Sequence, residues 1–117
     1  MSPAQTSFAA LADLVQQHAR GAPRRVALVE AERELDYAGL AAMMDRVARG
    51  LQRANVGPGR TVAICATASI EYAAVFLGVL QAGAAVAPLA TGTTAAALQV
   101  MLKDCDASLL FLDEAAA

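Results

Sequence analysis

A chain of 117 residues sets an expectation of one domain, long enough to bury a core without disulfides or metal ions. A net charge of −2, with neither a basic stripe nor interleaved aromatics, gives nucleic-acid binding no support. Hydrophobic residues make up 57% and charged residues only 17%, much of the apolar share being alanine, which predicts close helix contacts and fits a piece of a larger apolar unit.

The first residues, Met1-Ser2-Pro3-Ala4-Gln5, carry no basic region and no apolar run, so they do not read as a signal peptide. From Ser7 to Arg20, Phe8, Leu11, Leu14 and Val15 recur at helical spacing. Thr6 or Ser7 is the expected cap, and Gly21 and Pro23 the stop. Val26–Glu30 and Glu34–Asp36 read as two short strands of a hairpin around Ala31-Glu32-Arg33. Glu30, Glu32 and Glu34 alternate, so they are expected on one face of a solvated edge strand, where charge blunts pairing. A metal-binding carboxylate set is the weaker reading. Arg24 and Arg25 read as a solvated loop.

Asp36 is the expected cap of a long helix from Tyr37 to about Ala54. Leu40, Met44, Val47 and Leu51 form one apolar stripe, while Asp45, Arg46, Arg49, Gln52 and Arg53 hold the other side. The two methionines read as core filler. The turn 55–60 contains Gly57 and Gly59, but it follows a helix and precedes a strand. A dinucleotide-binding loop has the reverse context.

Strand 61–66 then leads through Thr67, Ala68 and Ser69 into a helix of about 70–82, apolar nearly all round and so expected to be covered on several sides. Gly83 stops it, and strand 84–88 follows. Thr94 opens a helix of about 95–104 with Leu98, Met101 and Leu102 inward, and strand 108–112 comes last. Strand, helix, strand, helix, strand predicts a Rossmann-like parallel βαβαβ core within a single α/β unit spanning 1–117. Its strands should be covered on both faces.

Cys65 and Cys105 lack metal-site spacing and read as reduced thiols of a cytoplasmic protein. With His18 as the single histidine, neither a metal site nor a Cys–His pair has support. No charged residue occurs from Tyr72 through Leu102, yet Gln81, Gly83, Pro88 and the run Thr91-Gly92-Thr93-Thr94 break this stretch into pieces too short to span a membrane.

Several stretches resemble one family. Leu35-Asp36-Tyr37 leading into Leu40, and Gly50-Leu51 through Val56-Gly57-Pro58-Gly59-Arg60 to Ile64, look like the N-terminal part of an AMP-forming acyl-CoA synthetase. So do Glu71-Tyr72 through Phe76, Gly78, Leu80, Ala82-Gly83-Ala84 and Pro88-Leu89, and finally Asp104 through Asp106-Ala107 and Leu109 through Asp113. The resemblance runs from about Phe8 to Asp113. It implies a parent enzyme that uses ATP and magnesium to convert a carboxylic or fatty acid to an acyl-adenylate, then usually transfers the acyl group to coenzyme A. Adenylation replaces a poor leaving group with a good one. Such a site needs a hydroxyl-rich phosphate loop with a lysine, an acid for the metal, and a basic residue near the adenylate.

None of these is recognisable here. Thr91-Gly92-Thr93-Thr94 is similar to the family's phosphate loop, but Ala95-Ala96-Ala97 follows instead of Gly-x-Pro-Lys, so the run reads as a turn and a helix cap. The chain also departs from the family at Ala68, Ala90, Thr91, Ala96 and Ala97. No catalytic, cofactor-binding or metal-binding residue is assigned among these positions.

The first expectation is therefore an N-terminal fragment of an acid–CoA ligase, inactive alone, whose partner is the rest of the parent chain. The second is a stand-alone nucleotide-binding α/β domain using the hydroxyls of Thr67, Ser69, Thr91, Thr93 and Thr94 at the carboxyl ends of the strands. The third is an interaction module whose apolar helix and unfinished sheet favour self-association.

Overall fold

A computed structural model describes the backbone of residues 3–113 and the side chains of residues 11–113. The expectations for Phe8's side chain, Met1-Ser2 and the final Glu114–Ala117 lie outside the described residues. The elements are α1 (Pro3–Gly21), β1 (Val26–Glu30), β2 (Arg33–Asp36), α2 (Tyr37–Arg53), β3 (Thr61–Cys65), α3 (Ile70–Gln81), β4 (Ala85–Pro88), α4 (Ala95–Asp104) and β5 (Ala107–Leu112).

The parallel core forms as its sequence predicts. β3 lies between β4 and β5, and both pairings are parallel. Running β3 to β4 and then back across β3 to β5 reverses direction. Right-handed crossovers therefore send α3 and α4 to opposite faces of the sheet. Val62, Ala63, Ile64 and Cys65 are all at most 2% exposed, so β3 is covered on both faces. The edge strands are not, contrary to the expectation for every strand. Ala85 and Pro88 of β4 are exposed, as are Ser108, Leu109 and Leu112 of β5. Burial on both faces belongs to the central strand alone, because the helices cover the middle of the sheet and α4 itself contributes no buried residue.

Two layers stack on one face of the sheet. Against Val62 lie Ala48 and Leu51 of α2 and Val79 and Ala82 of α3, with Val56 and Ala84 closing the ends. Above them a second cluster joins Leu40 and Met44 of α2, Ala74 of α3 and Ala12 of α1, flanked by Leu28 and Leu35 of the hairpin. This second layer explains why α3 is apolar nearly all round: it packs on α1, α2, the sheet and β1. The α2 stripe behaves as its spacing predicts. Leu40, Met44 and Leu51 are buried and Val47 is half-buried against α3. Among the described residues, no helix is long and apolar enough to cross a membrane.

Three local expectations change. Helix α1 runs from Pro3, so Thr6 and Ser7 lie inside it rather than capping it; proline is tolerated in a first turn because that N–H needs no intrahelical partner. Leu11 and Leu14 stand 40% and 47% exposed, while Ala12 is the buried contact and Val15 packs beside it. The glutamates do not share one face. Glu30 pairs with Arg33 and Val29 with Glu34, which leaves Ala31 and Glu32 as a two-residue turn. Ala31 there adopts φ 51°.

Helices α2 and α3 approach closely at Gly78. A β-carbon on Gly78 would stand 2.6 Å from Val47 Cβ and 3.1 Å from the Met44 carbonyl oxygen. Both contacts are with rigid parts of α2. Replacing Gly78 with alanine should lower the unfolding free energy by about 1–3 kcal/mol through overpacking. At Gly50, also in α2, a β-carbon would have nothing within 4 Å. There the same change should stabilise by about 0.5–1 kcal/mol through helix propensity. Urea-unfolding midpoints of the two variants check the pair; shifts in the same direction would contradict the close approach.

Candidate functional site

Ligands of open parallel sheets bind beyond the carboxyl ends of the strands, where the strand order reverses. Here that place lies between β3 and β5. Three loops meet at this end of the sheet: Ala66–Ser69 after β3, Leu89–Thr94 after β4, and Asp113 after β5. The β3–β4 ladder is extended by Leu89 N–H donating to the Ile64 carbonyl at 2.8 Å, and the Cys65 thiol donates to the Ala90 carbonyl at 3.5 Å. Across the other side, Thr67 N–H donates to Asp113 Oδ2 at 2.7 Å, joining the β3–α3 loop to the end of β5.

A crevice of about 90 Å³ opens there, with Ser69, Glu71, Tyr72, Phe111 and Asp113 among its walls. Nucleotide-sized sites occupy several hundred Å³. The hydroxyls named from sequence are largely engaged locally. Ser69 Oγ accepts from Tyr72 N–H at 3.0 Å and caps α3. Thr94 Oγ1 accepts from Ala97 N–H at 3.1 Å and caps α4, and Thr93 donates to the Ala90 carbonyl at 3.3 Å. The Thr91–Thr94 run is thus a turn and a cap, with Gly92 at φ 80°. With three of its five hydroxyls engaged, no lysine or arginine in these loops, and too small a crevice, this chain's residues do not by themselves fit ATP or its metal.

The electrostatic feature beside the crevice was not legible in the sequence. Arg33 of β2 grips both oxygens of Glu71, in the first turn of α3, and also donates to Glu30 at 3.3 Å. Glu30 in turn accepts from Ile70 N–H at 3.0 Å. Two carboxylates therefore sit at the positive end of α3, where the helix dipole favours them. The hydrogen bond from Arg33 holds the Glu71 carboxyl below the usual glutamate range. Its turn position hinted that Arg33 was exposed, but nothing local could pair it with a residue 38 positions away.

The remaining sequence-named residues fall into structural roles. His18 stacks on Tyr37 with ring centroids 5.0 Å apart. Cys65 is buried and Cys105 half-buried, both as free thiols. Arg24 lies 3.8 Å from Asp36 with its side chain almost fully exposed. Among the described residues, no three histidine, cysteine or acidic side chains are grouped as a metal site.

The fold is a doubly wound α/β unit whose strand order reverses between β3 and β5. A family model described as AMP-binding enzyme matches residues 15–117, and the chain belongs to that family of adenylate-forming enzymes. It is 37% identical over 100 residues to tyrocidine synthase 3 of Brevibacillus parabrevis, covering 86% of this chain and 2% of that protein. Its fold matches the N-terminal domain of FACL13 from Mycobacterium tuberculosis with a TM-score of 0.83 at 26% identity, covering 91% of this chain and 27% of the other. A fatty acyl CoA synthetase of the same organism matches equally well, with a TM-score of 0.83, 26% identity and coverage of 91% and 22%. The chain thus spans a small part of each of these relatives.

Two outcomes are expected at this end of the fold. Asp113→Ala should leave the Thr67 amide without its acceptor, so hydrogen exchange at Thr67 should accelerate while β3 amides keep their protection. The second follows from Glu71. A carboxyl whose folded pKa is depressed stabilises fully above its unfolded value, about 4.3, and loses that contribution as pH falls through the lower folded value. Glu71→Gln should therefore be less stable than the parent near neutral pH, with the gap closing in acid. The gap should also shrink with added salt, because the pair is exposed. Urea midpoints across pH check this; a gap that widens in acid would contradict it.

Proposed function

We propose that this chain is a single α/β unit forming the N-terminal portion of an adenylating enzyme. That enzyme would use ATP to convert a carboxylic acid to an acyl-adenylate, releasing pyrophosphate. The family match over residues 15–117 carries the reading. The chain would supply scaffold: a parallel sheet and the strand ends on which later segments complete the site. No catalytic, cofactor-binding or metal-binding residue is assigned to it, and its partner is the rest of the parent chain. Two free thiols fit a cytoplasmic setting.

Two readings of the acid and its acceptor follow. In one, a fatty or other carboxylic acid passes to coenzyme A; the shape match to the fatty acyl CoA synthetase supports it. In the other, an amino acid is activated for nonribosomal peptide synthesis. The 37% identity over 100 residues to tyrocidine synthase 3 supports this second reading. Shared fold alone says little about substrate.

Acid-dependent ATP–pyrophosphate exchange by the full-length product of the gene tests both. Exchange with an amino acid and no coenzyme A thioester supports the second reading. An aliphatic or aromatic acid that yields a thioester supports the first. No exchange and no ATP binding by the full-length product would overturn the proposal. The 117 residues alone should form no adenylate; if they do, the scaffold assignment fails.

A further inference from the structure

The opposite end of the sheet holds a larger opening. At the amino ends of β3 and β5 lies a cleft of about 550 Å³, with Asn55, Arg60, Thr61, Asp106 and Ser108 in its walls. Its volume is in the range of small-molecule sites.

The backbone around it is irregular in three places. Asn55 and Asp106 adopt left-handed conformations, at φ 60° and 52°. Thr61 pairs with Ala107 but Val62 pairs with Leu109, so Ser108 is an extra residue in β5. A bulge of this kind re-aims a side chain. Ordinary helix closure explains part of this: Asn55 N–H donates to Gln52 and Asp106 N–H to Lys103, at 3.1 and 3.2 Å. Closure does not explain the opening between the two turns.

Charge and register narrow what the cleft suits. Arg60 and Asp106 each immediately precede one member of the Thr61–Ala107 pair, so they lead into neighbouring strands whose axes lie about 4.8 Å apart. Both residues are exposed. Among the described residues no ion pair joins them, and the Arg60 guanidinium has no hydrogen-bond partner. The cleft adjoins the carboxyl ends of α2 and α4, which carry partial negative charge. With Asp106 nearby, a phosphate dianion is disfavoured. A ligand with one carboxylate and one ammonium group satisfies both sides: a planar carboxylate suits the guanidinium fork, and an ammonium suits Asp106 and the helix ends.

We propose that this cleft binds a free amino acid with a short polar side chain. Its carboxylate would lie on Arg60 and its ammonium on Asp106, with Asn55 and Ser108 facing the side chain. The site is at the far end of the sheet from the crevice and does not depend on the adenylation reading. Amide chemical shifts of the isotope-labelled 117-residue chain, titrated with L-asparagine, test it. Saturable shifts at Asn55, Arg60 and Ser108 are expected, while acetate and methylammonium, each carrying half the charge pattern, bind about tenfold or more weakly.

Arg60→Gln and Asp106→Asn should each weaken binding by a similar factor. Asparagine tolerates the left-handed conformation, so the Asp106 variant keeps the turn, and unchanged β3 amide shifts verify that each variant is folded. The proposal is overturned by shifts that do not saturate, by acetate binding as well as L-asparagine, or by folded variants that bind as the parent does.

Discussion

The fold hangs on how closely α3 approaches α2. Gly78 lets the two helices meet backbone to side chain, with Val47 and the Met44 carbonyl filling the place of a β-carbon. That approach aligns Leu51, Val79 and Ala82 over the sheet on one side, and Leu40, Met44 and Ala74 under α1 on the other. Move the helices apart and both clusters open together. The alanine-rich composition has its physical purpose here: Ala12, Ala48, Ala74 and Ala82 are all buried at points where helices meet. Small side chains exchange buried area per residue for close packing, and dispersion attraction falls steeply with any gap.

Polar contacts then fix the layers in register. Gln16 of α1, Asp45 of α2 and Gln81 of α3 meet in one half-buried cluster, with Gln81 donating to Asp45 at 2.7 Å and Gln16 to Gln81 at 3.0 Å. Sliding any of the three helices would strand a partly desolvated amide or carboxylate, which costs more than the hydrogen bond itself contributes. The entry to α2 is closed in the same manner. Tyr37 and Ala38 N–H donate to the Arg25 and Pro23 carbonyls, and Gly39 N–H to Asp36 Oδ1. The loop before the hairpin is therefore part of the start of α2.

Much of this was legible because its signals are local. Asp36, Ser69 and Thr94 each precede an apolar helical run, and all three cap the helices they announce. Gly83, at φ 84°, ends α3 where expected. What failed needed tertiary knowledge. Periodicity in α1 shows that an apolar stripe exists, but not that the neighbouring stripe through Ala12 faces the core. Alternation of Glu30, Glu32 and Glu34 implies one face only if the strand continues, and a two-residue turn interrupts it. The clasp of Arg33 on Glu71 and the bond from Thr67 to Asp113 join residues 38 and 46 positions apart. At the candidate site the caps of Ser69 and Thr94 were legible, but the bond from Thr93 to the Ala90 carbonyl and the small size of the crevice were not.

The two free edges of the sheet differ in a way that bears on how such a chain survives its own synthesis. β4 is short and ends at Pro88, which cannot donate to a further strand. β5 is six residues long, Ala-Ser-Leu-Leu-Phe-Leu, with no charge and no proline, and its outer edge is unpaired among the described residues. Edges of that composition recruit other strands unless something shields them. While this segment emerges from the ribosome, β5 is where a holdase would bind to greatest effect, and where crowded nascent chains would first adhere to one another.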